Sequence, residues 1–170
     1  MFEIQQEILK DQKVASVRLL VMPDEVPAAI EQARTDVLSF LEDQGSAPSG
    51  PAFVRYYTFQ PDRVSMEVGF PINEPVGTDG AVGPGTLPGG LVVHTWHKGP
   101  YENLQDTYHA LEGWIKRHGY DFQGAPWEVY WTGPDDEEDP KNWRTQVFWP
   151  IKHIDEAEQE SLSEQEKWGR

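Results

Sequence analysis

The sequence contains no cysteine. Disulfides, thiolate metal sites and thiol nucleophiles are therefore excluded whatever the redox state of the surroundings. It also lacks any run approaching the roughly 18 apolar residues that a membrane helix needs. Its opening, MFEIQQEILKDQ, has neither the basic nor the apolar stretch of a secretory signal. A cytoplasmic location is the expectation. Basic side chains are scarce too: 14 Lys and Arg stand against 29 Asp and Glu, a formal charge of −15. Such a balance repels phosphate backbones and anionic headgroups. Neither direct nucleic-acid binding nor membrane binding is expected, whereas the field favours neutral or cationic ligands and keeps the surface soluble.

Several catalytic signatures are missing as well. The serines are scattered and none occupies a Gly-x-Ser-x-Gly elbow. The glycines of Gly83-Pro-Gly-Thr-Leu-Pro-Gly-Gly are not followed by Lys-Ser/Thr, so they form no phosphate loop. His94 and His97 lie three apart on an extended segment and point to opposite faces, a poor arrangement for one metal. The acidic run at 135–139 lacks the spacing and glycine of a calcium loop. No metal and no cofactor are expected.

What the chain does have is an internal duplication. KVASVRLLVM, from Lys13 to Met22, mixes alternation with β-branched residues and reads as a strand. From Pro27 the apolar residues Ile30, Ala33, Val37 and Leu41 recur at helical spacing until Gly45. Phe53 to Phe59 and Val64 to Phe70, joined by Gln60-Pro61-Asp62-Arg63, read as a hairpin. The order then returns. LVVHTWH is a strand, Gly99-Pro100 a break, and Leu104, Thr107, Leu111 and Ile115 share a helical face before Gly119. Residues 124–131 lie over 50–57 with an offset of 74 (128 − 54), and TQVFWPI at 145–151 lies over MEVGFPI at 66–72.

The expected fold is therefore α+β: two β-α-β-β units related by a pseudo-twofold axis, antiparallel sheets with helices on one face, and a central ligand cleft. Repeat one covers about 3–72 and repeat two 91–152 of a domain spanning 1–152. Residues 73–90, rich in Gly and Pro, serve as a linker or a flap over the cleft. The remainder, 153–170, is an acidic tail, frayed or disordered from Asp155 onward.

Strand alternation gives a first assignment of faces. Met66, Val68 and Phe70 belong under the helices, which turns Glu67 toward the cleft. Placing Trp127, Val129 and Trp131 inward leaves Glu128 and Tyr130 facing the cleft, with Val54 and Tyr56 as their counterparts. Packing Val147 and Trp149 in the core leaves Gln146 and Phe148 on the cleft side. Tyr101 either staples the second helix or reaches the cleft, and Trp96 packs in the core or joins the lining. An aromatic pocket with a few convergent polar groups suits a small organic ligand. Glu128 stands out, because it breaks the internal symmetry at a position where burial costs several kcal/mol unless something pairs with it.

These residues together resemble a known family. The duplicated order, His97-Lys98-Gly99-Pro100-Tyr101-Glu102-Asn103-Leu104 before the second helix, Trp127-Glu128-Val129-Tyr130 with Pro134 soon after, and Trp149-Pro150-Ile151 at the close are similar to the GyrI-like, AraC-type effector-binding domains over roughly residues 3–152. The resemblance implies binding of bulky, often aromatic and cationic compounds, with Glu128 matching a glutamate that commonly contacts the ligand. Many relatives carry a helix-turn-helix module, for which there is no room before Lys13. Sensing, sequestration or detoxification of the ligand is then expected. Alternatives are hydrolysis of strained, cyclopropane-containing genotoxins, as in some stand-alone relatives, with Glu128 and Tyr130 as catalytic groups, and an acidic module that docks on a protein partner or protects gyrase. The sequence leaves the oligomeric state open.

Overall fold

The computed structural model describes residues 3–134 and 136–154. In chain order the elements are β1 (Gln5–Leu9), β2 (Gln12–Val21), α1 (Val26–Asp43), β3 (Phe53–Gln60), β4 (Arg63–Pro71), β5 (Gly83–Leu87), β6 (Gly90–Lys98), α2 (Leu104–Arg117), β7 (Tyr120–Phe122), β8 (Trp127–Thr132) and β9 (Arg144–His153). Each helix is preceded by a short 3-10 turn, Pro23–Glu25 and Tyr101–Asn103. The tail expected to be frayed or disordered, 155–170, lies outside the described residues.

The duplication is visible in the sheet. Strand order is β1-β6-β9-β8-β3-β4-β2-β5, all antiparallel, with β7 added beside β9. Read outward from the centre, β8-β9-β6 repeats β3-β4-β2, so a pseudo-twofold axis passes between β3 and β8. The backbone obeys it: the Tyr56 N–H donates to the Pro126 carbonyl at 3.2 Å, and the Tyr130 N–H to the Ala52 carbonyl at 3.0 Å. The two units therefore share one continuous sheet.

The outer strands are exchanged. β1 precedes β2 in the chain but pairs with β6, while β5 precedes β6 but pairs with β2. Residues 73–90 are thus neither a structureless linker nor a flap. They supply an edge strand, and Val76 and Val82 pack into the core under α1. Glycine and proline richness conceals this in the sequence, because β5, GPGTL, offers few side chains to show alternation.

Both helices lie on one face. The stripe Ala33, Val37, Phe40 and Leu41 of α1 packs on Ala15, Val17, Met66 and Val68, and Leu111 and Ile115 of α2 pack on Val93, Val147 and Ile151. α1 stops where Gly45 takes φ 69°, with the Ser46 N–H donating to the Leu41 carbonyl at 2.8 Å, a left-handed cap that only glycine adopts without strain. The other face carries an apolar cluster as well. Leu9, Val14, Leu87 and Val92 from the outer strands meet Phe53, Trp127 and Phe148 from the centre. Strands so far apart in the sheet can share a cluster only if the sheet curls into a half-barrel around it.

Candidate ligand-binding cavity

α1 packs mainly on β2 and β4, and α2 on β6, β7 and β9. Neither helix packs chiefly on the central strands β3 and β8. Above them lies a cavity of about 970 Å3, at the upper end of the roughly 300–1,000 Å3 range of small-molecule sites. Val26, Pro27 and Ile30 of α1 form one wall, and Leu104, Gln105 and Tyr108 of α2 the other. Tyr56, Glu128 and Tyr130 line the floor. Tyr101 and the loop residues Gly133, Pro134 and Asp136 also line the cavity.

Glu128 is 4% exposed and stands opposite Val54 across the central β3–β8 pairing. Tyr108 donates its hydroxyl to one Glu128 oxygen, Oε2, and Tyr130 donates to the other, Oε1, both at 2.6 Å. Burial pushes the carboxyl above its ordinary range, and the two phenol hydrogen bonds pull it back in part. The phenols move the other way from ionisation. Burial first, then the neighbouring Glu128 charge, raises Tyr56, Tyr108 and Tyr130, which keeps all three phenols protonated. Among the described residues, the groups that shift Glu128 include no cation. Nearer the opening, Glu31, Glu102, Glu112 and Asp136 add carboxylates, while Arg34 pairs with Glu31 at 3.6 Å. The cavity thus combines tyrosine rings, a buried acid and a negative rim.

Of the residues singled out from the sequence, Glu128, Tyr130, Tyr56 and Tyr101 meet at this cavity. Val54 shares their face but is covered within the α1 core. Glu67, Gln146, Phe148 and Trp96 lie on the opposite, concave face and do not line it. There Glu67 accepts from Ser16 and Tyr57, each at 2.6 Å. Gln146 accepts from the Trp131 indole at 3.0 Å, Phe148 stacks on Trp127, and Trp96 sits against Trp131. Alternation holds at these positions, up to the register shifts between Tyr56 and Thr58 and between Tyr130 and Thr132. The match of faces between strands does not, because the cleft opens on the helix side and the curled sheet buries apolar residues on both faces. Trp131, expected inside, is 48% exposed.

Tyr108 is a cavity residue that the sequence reading misses. It occupies in α2 the position that Ile30 occupies in α1, with the offset shared by Leu104 and Val26 (108 − 30 = 104 − 26 = 78). A carboxylate thus replaces Val54 and a phenol replaces Ile30 at two symmetry-related positions that face each other. That paired departure from the repeat is the signal that could have found it.

The family profile of the GyrI-like small molecule binding domain matches residues 2–152. The chain belongs to this family. Solved structures agree on the fold of the GyrI-like domain. The C-terminal domain of EcmrR superposes with a TM-score of 0.77 at 21% identity, over 91% of this chain and 99% of that one. In the complex of EcmrR with DNA the TM-score is 0.82 at 20% identity over 90% of this chain, which spans 58% of that longer chain. A hydrolase from Listeria innocua (TM-score 0.66, 12% identity, 88% and 92% covered) and SAV2435 bound to tetraphenylphosphonium (0.61, 11%, 89% and 94%) share the architecture. No curated protein matches the chain. Among the described residues, no helix is long and apolar enough to cross a membrane.

Proposed function

We propose that this GyrI-like domain binds bulky organic cations with aromatic surfaces in the cavity between α1 and α2, for sensing, sequestration or detoxification. The observation that carries the reading is Glu128, a buried carboxylate whose oxygens are held by two phenols. Two phenol hydrogen bonds offset only part of the cost of burying a charge. A ligand cation seated above the carboxylate offsets the rest, and Tyr56, Tyr101, Tyr108 and Tyr130 offer ring faces and edges to its aromatic parts. The acidic rim draws the cation inward. The tetraphenylphosphonium-bound relative supports a cation of this size and shape in the same fold.

The test is thermal unfolding of wild type and Glu128→Gln with tetraphenylphosphonium and with ethidium. A ligand that binds only the folded state raises the melting temperature. Wild type should be stabilised, and Glu128→Gln should need about tenfold more ligand, roughly 1.4 kcal/mol of lost interaction. Absence of any shift in wild type would remove the reading. A second reading, hydrolysis of strained electrophiles with a protonated Glu128 as acid and Tyr130 orienting the substrate, draws on the raised carboxyl. Mass spectrometry of a recovered strained electrophile separates the two: altered mass with wild type but not with Glu128→Gln supports hydrolysis.

A further inference from the structure

The two repeats differ in their second hairpins. Across the β3–β4 turn Gln60 pairs directly with Arg63, so only Pro61 and Asp62 lie outside the ladder. Between β8 and β9 the chain instead runs through residues 133–143. Trp143 ties this loop down: its indole donates to the Glu137 carbonyl at 2.7 Å, and its own carbonyl accepts from the Gly99 N–H at 2.8 Å. The Trp143 ring lies 5.0 Å from Tyr101, which in turn meets Tyr130 edge-on at 5.6 Å. Tyr130 is the residue whose hydroxyl holds Glu128. A series of contacts therefore runs from the loop through Tyr101 to the buried carboxylate.

The tip of Tyr101 is confined by Gly133. A Cβ placed on Gly133 would stand 2.7 Å from the Tyr101 hydroxyl oxygen, far inside van der Waals contact. The backbone there is not left-handed, since Gly133 is absent from the glycines with positive φ. Space, and not backbone conformation, is what a side chain at 133 would contend with: an added Cβ makes the Tyr101 hydroxyl shift. Trp143 and Tyr130 flank the ring, so a methyl at 133 displaces it from the place it now holds at the cavity.

We infer that Tyr101 is a gate on the path to Glu128 and that Gly133 sets its position, so that this pair determines how thick a ligand the cavity admits. The inference rests on the proposed cavity function and adds a selectivity device to it. Repeat one has no equivalent, because Pro23 occupies the place of Tyr101 (101 − 23 = 78) and the β3–β4 turn is too short to reach it.

The test is a double-mutant cycle over Gly133→Ala and Tyr101→Phe, read by isothermal titration with tetraphenylphosphonium, which is tetrahedral, and ethidium, which is flat. Gly133→Ala should weaken tetraphenylphosphonium about tenfold and ethidium less than about twofold. In the Tyr101→Phe background the same substitution should cost less than about twofold, because the atom that the methyl meets is gone. A purely structural role for Gly133 would lower both affinities equally, and a loss that persists in the Tyr101→Phe background would also overturn the gate. If Gly133→Ala does not fold, Tyr101→Ala decides: it should speed dissociation of tetraphenylphosphonium more than that of ethidium, and equal acceleration overturns the proposal. Wild type that binds neither probe removes the cavity reading, and the gate with it, before any substitution is compared.

Discussion

Glu128 is held between opposing influences, and the balance predicts how pH acts on binding. Burial favours the protonated acid, while the Tyr108 and Tyr130 hydroxyls favour the carboxylate. A cation binds the ionised form, so binding releases a proton whenever Glu128 is protonated beforehand. Affinity is thus full above the raised pKa and falls as pH drops through it. Tyr108→Phe removes one of the bonds that lowers the pKa, so the acid limb should move to higher pH. In Glu128→Gln the limb should vanish. Dissociation constants for tetraphenylphosphonium measured across the acidic range check both, and a limb that survives in Glu128→Gln would assign it to another group.

At the scale of elements, the strands and helices with strong alternation or helical spacing were legible, and those without were not. β2, α1, β3, β4, β6, α2, β8 and β9 follow the apolar pattern closely. β1 (QQEIL) is an exposed edge with almost no apolar face, and β5 is made largely of glycine and proline, so neither announces itself. The cavity was half legible. Glu128, Tyr130 and Tyr56 follow from alternation and symmetry, but which face carries the helices depends on packing between strands, which the buried Trp127 and the half-buried Phe148 obscure by packing on the concave side. The structural role of β5 is testable. Leu87 is buried between the two halves of the curled sheet, so Leu87→Ala should lose about 2–4 kcal/mol in urea unfolding. Its affinity for cations should stay within about twofold, since β5 lies at the far edge from the cavity.

Over the whole molecule, charge and chain exchange shape behaviour that no single residue controls. The net charge of −15 and the rim carboxylates should steer cations to the cavity. Association of ethidium, followed by stopped-flow fluorescence, should therefore slow as salt rises. Dissociation, governed by the buried floor around Glu128, should change little. A docking surface for an acidic protein module would instead show its salt dependence in the partner's affinity and leave ethidium kinetics untouched. The strand exchange of β1 and β5 has a different consequence. A single repeat with its own leading strand would exchange that strand with a second copy, giving a homodimer of the same shape. Such a dimer obeys exact symmetry at its axis, where Val54 and Glu128 now face each other. It could place two valines there, or two acids that resist shared ionisation, but never one of each. Joining the copies in one polypeptide frees the two positions to diverge, and a lone carboxylate on the axis is available only to a fused chain.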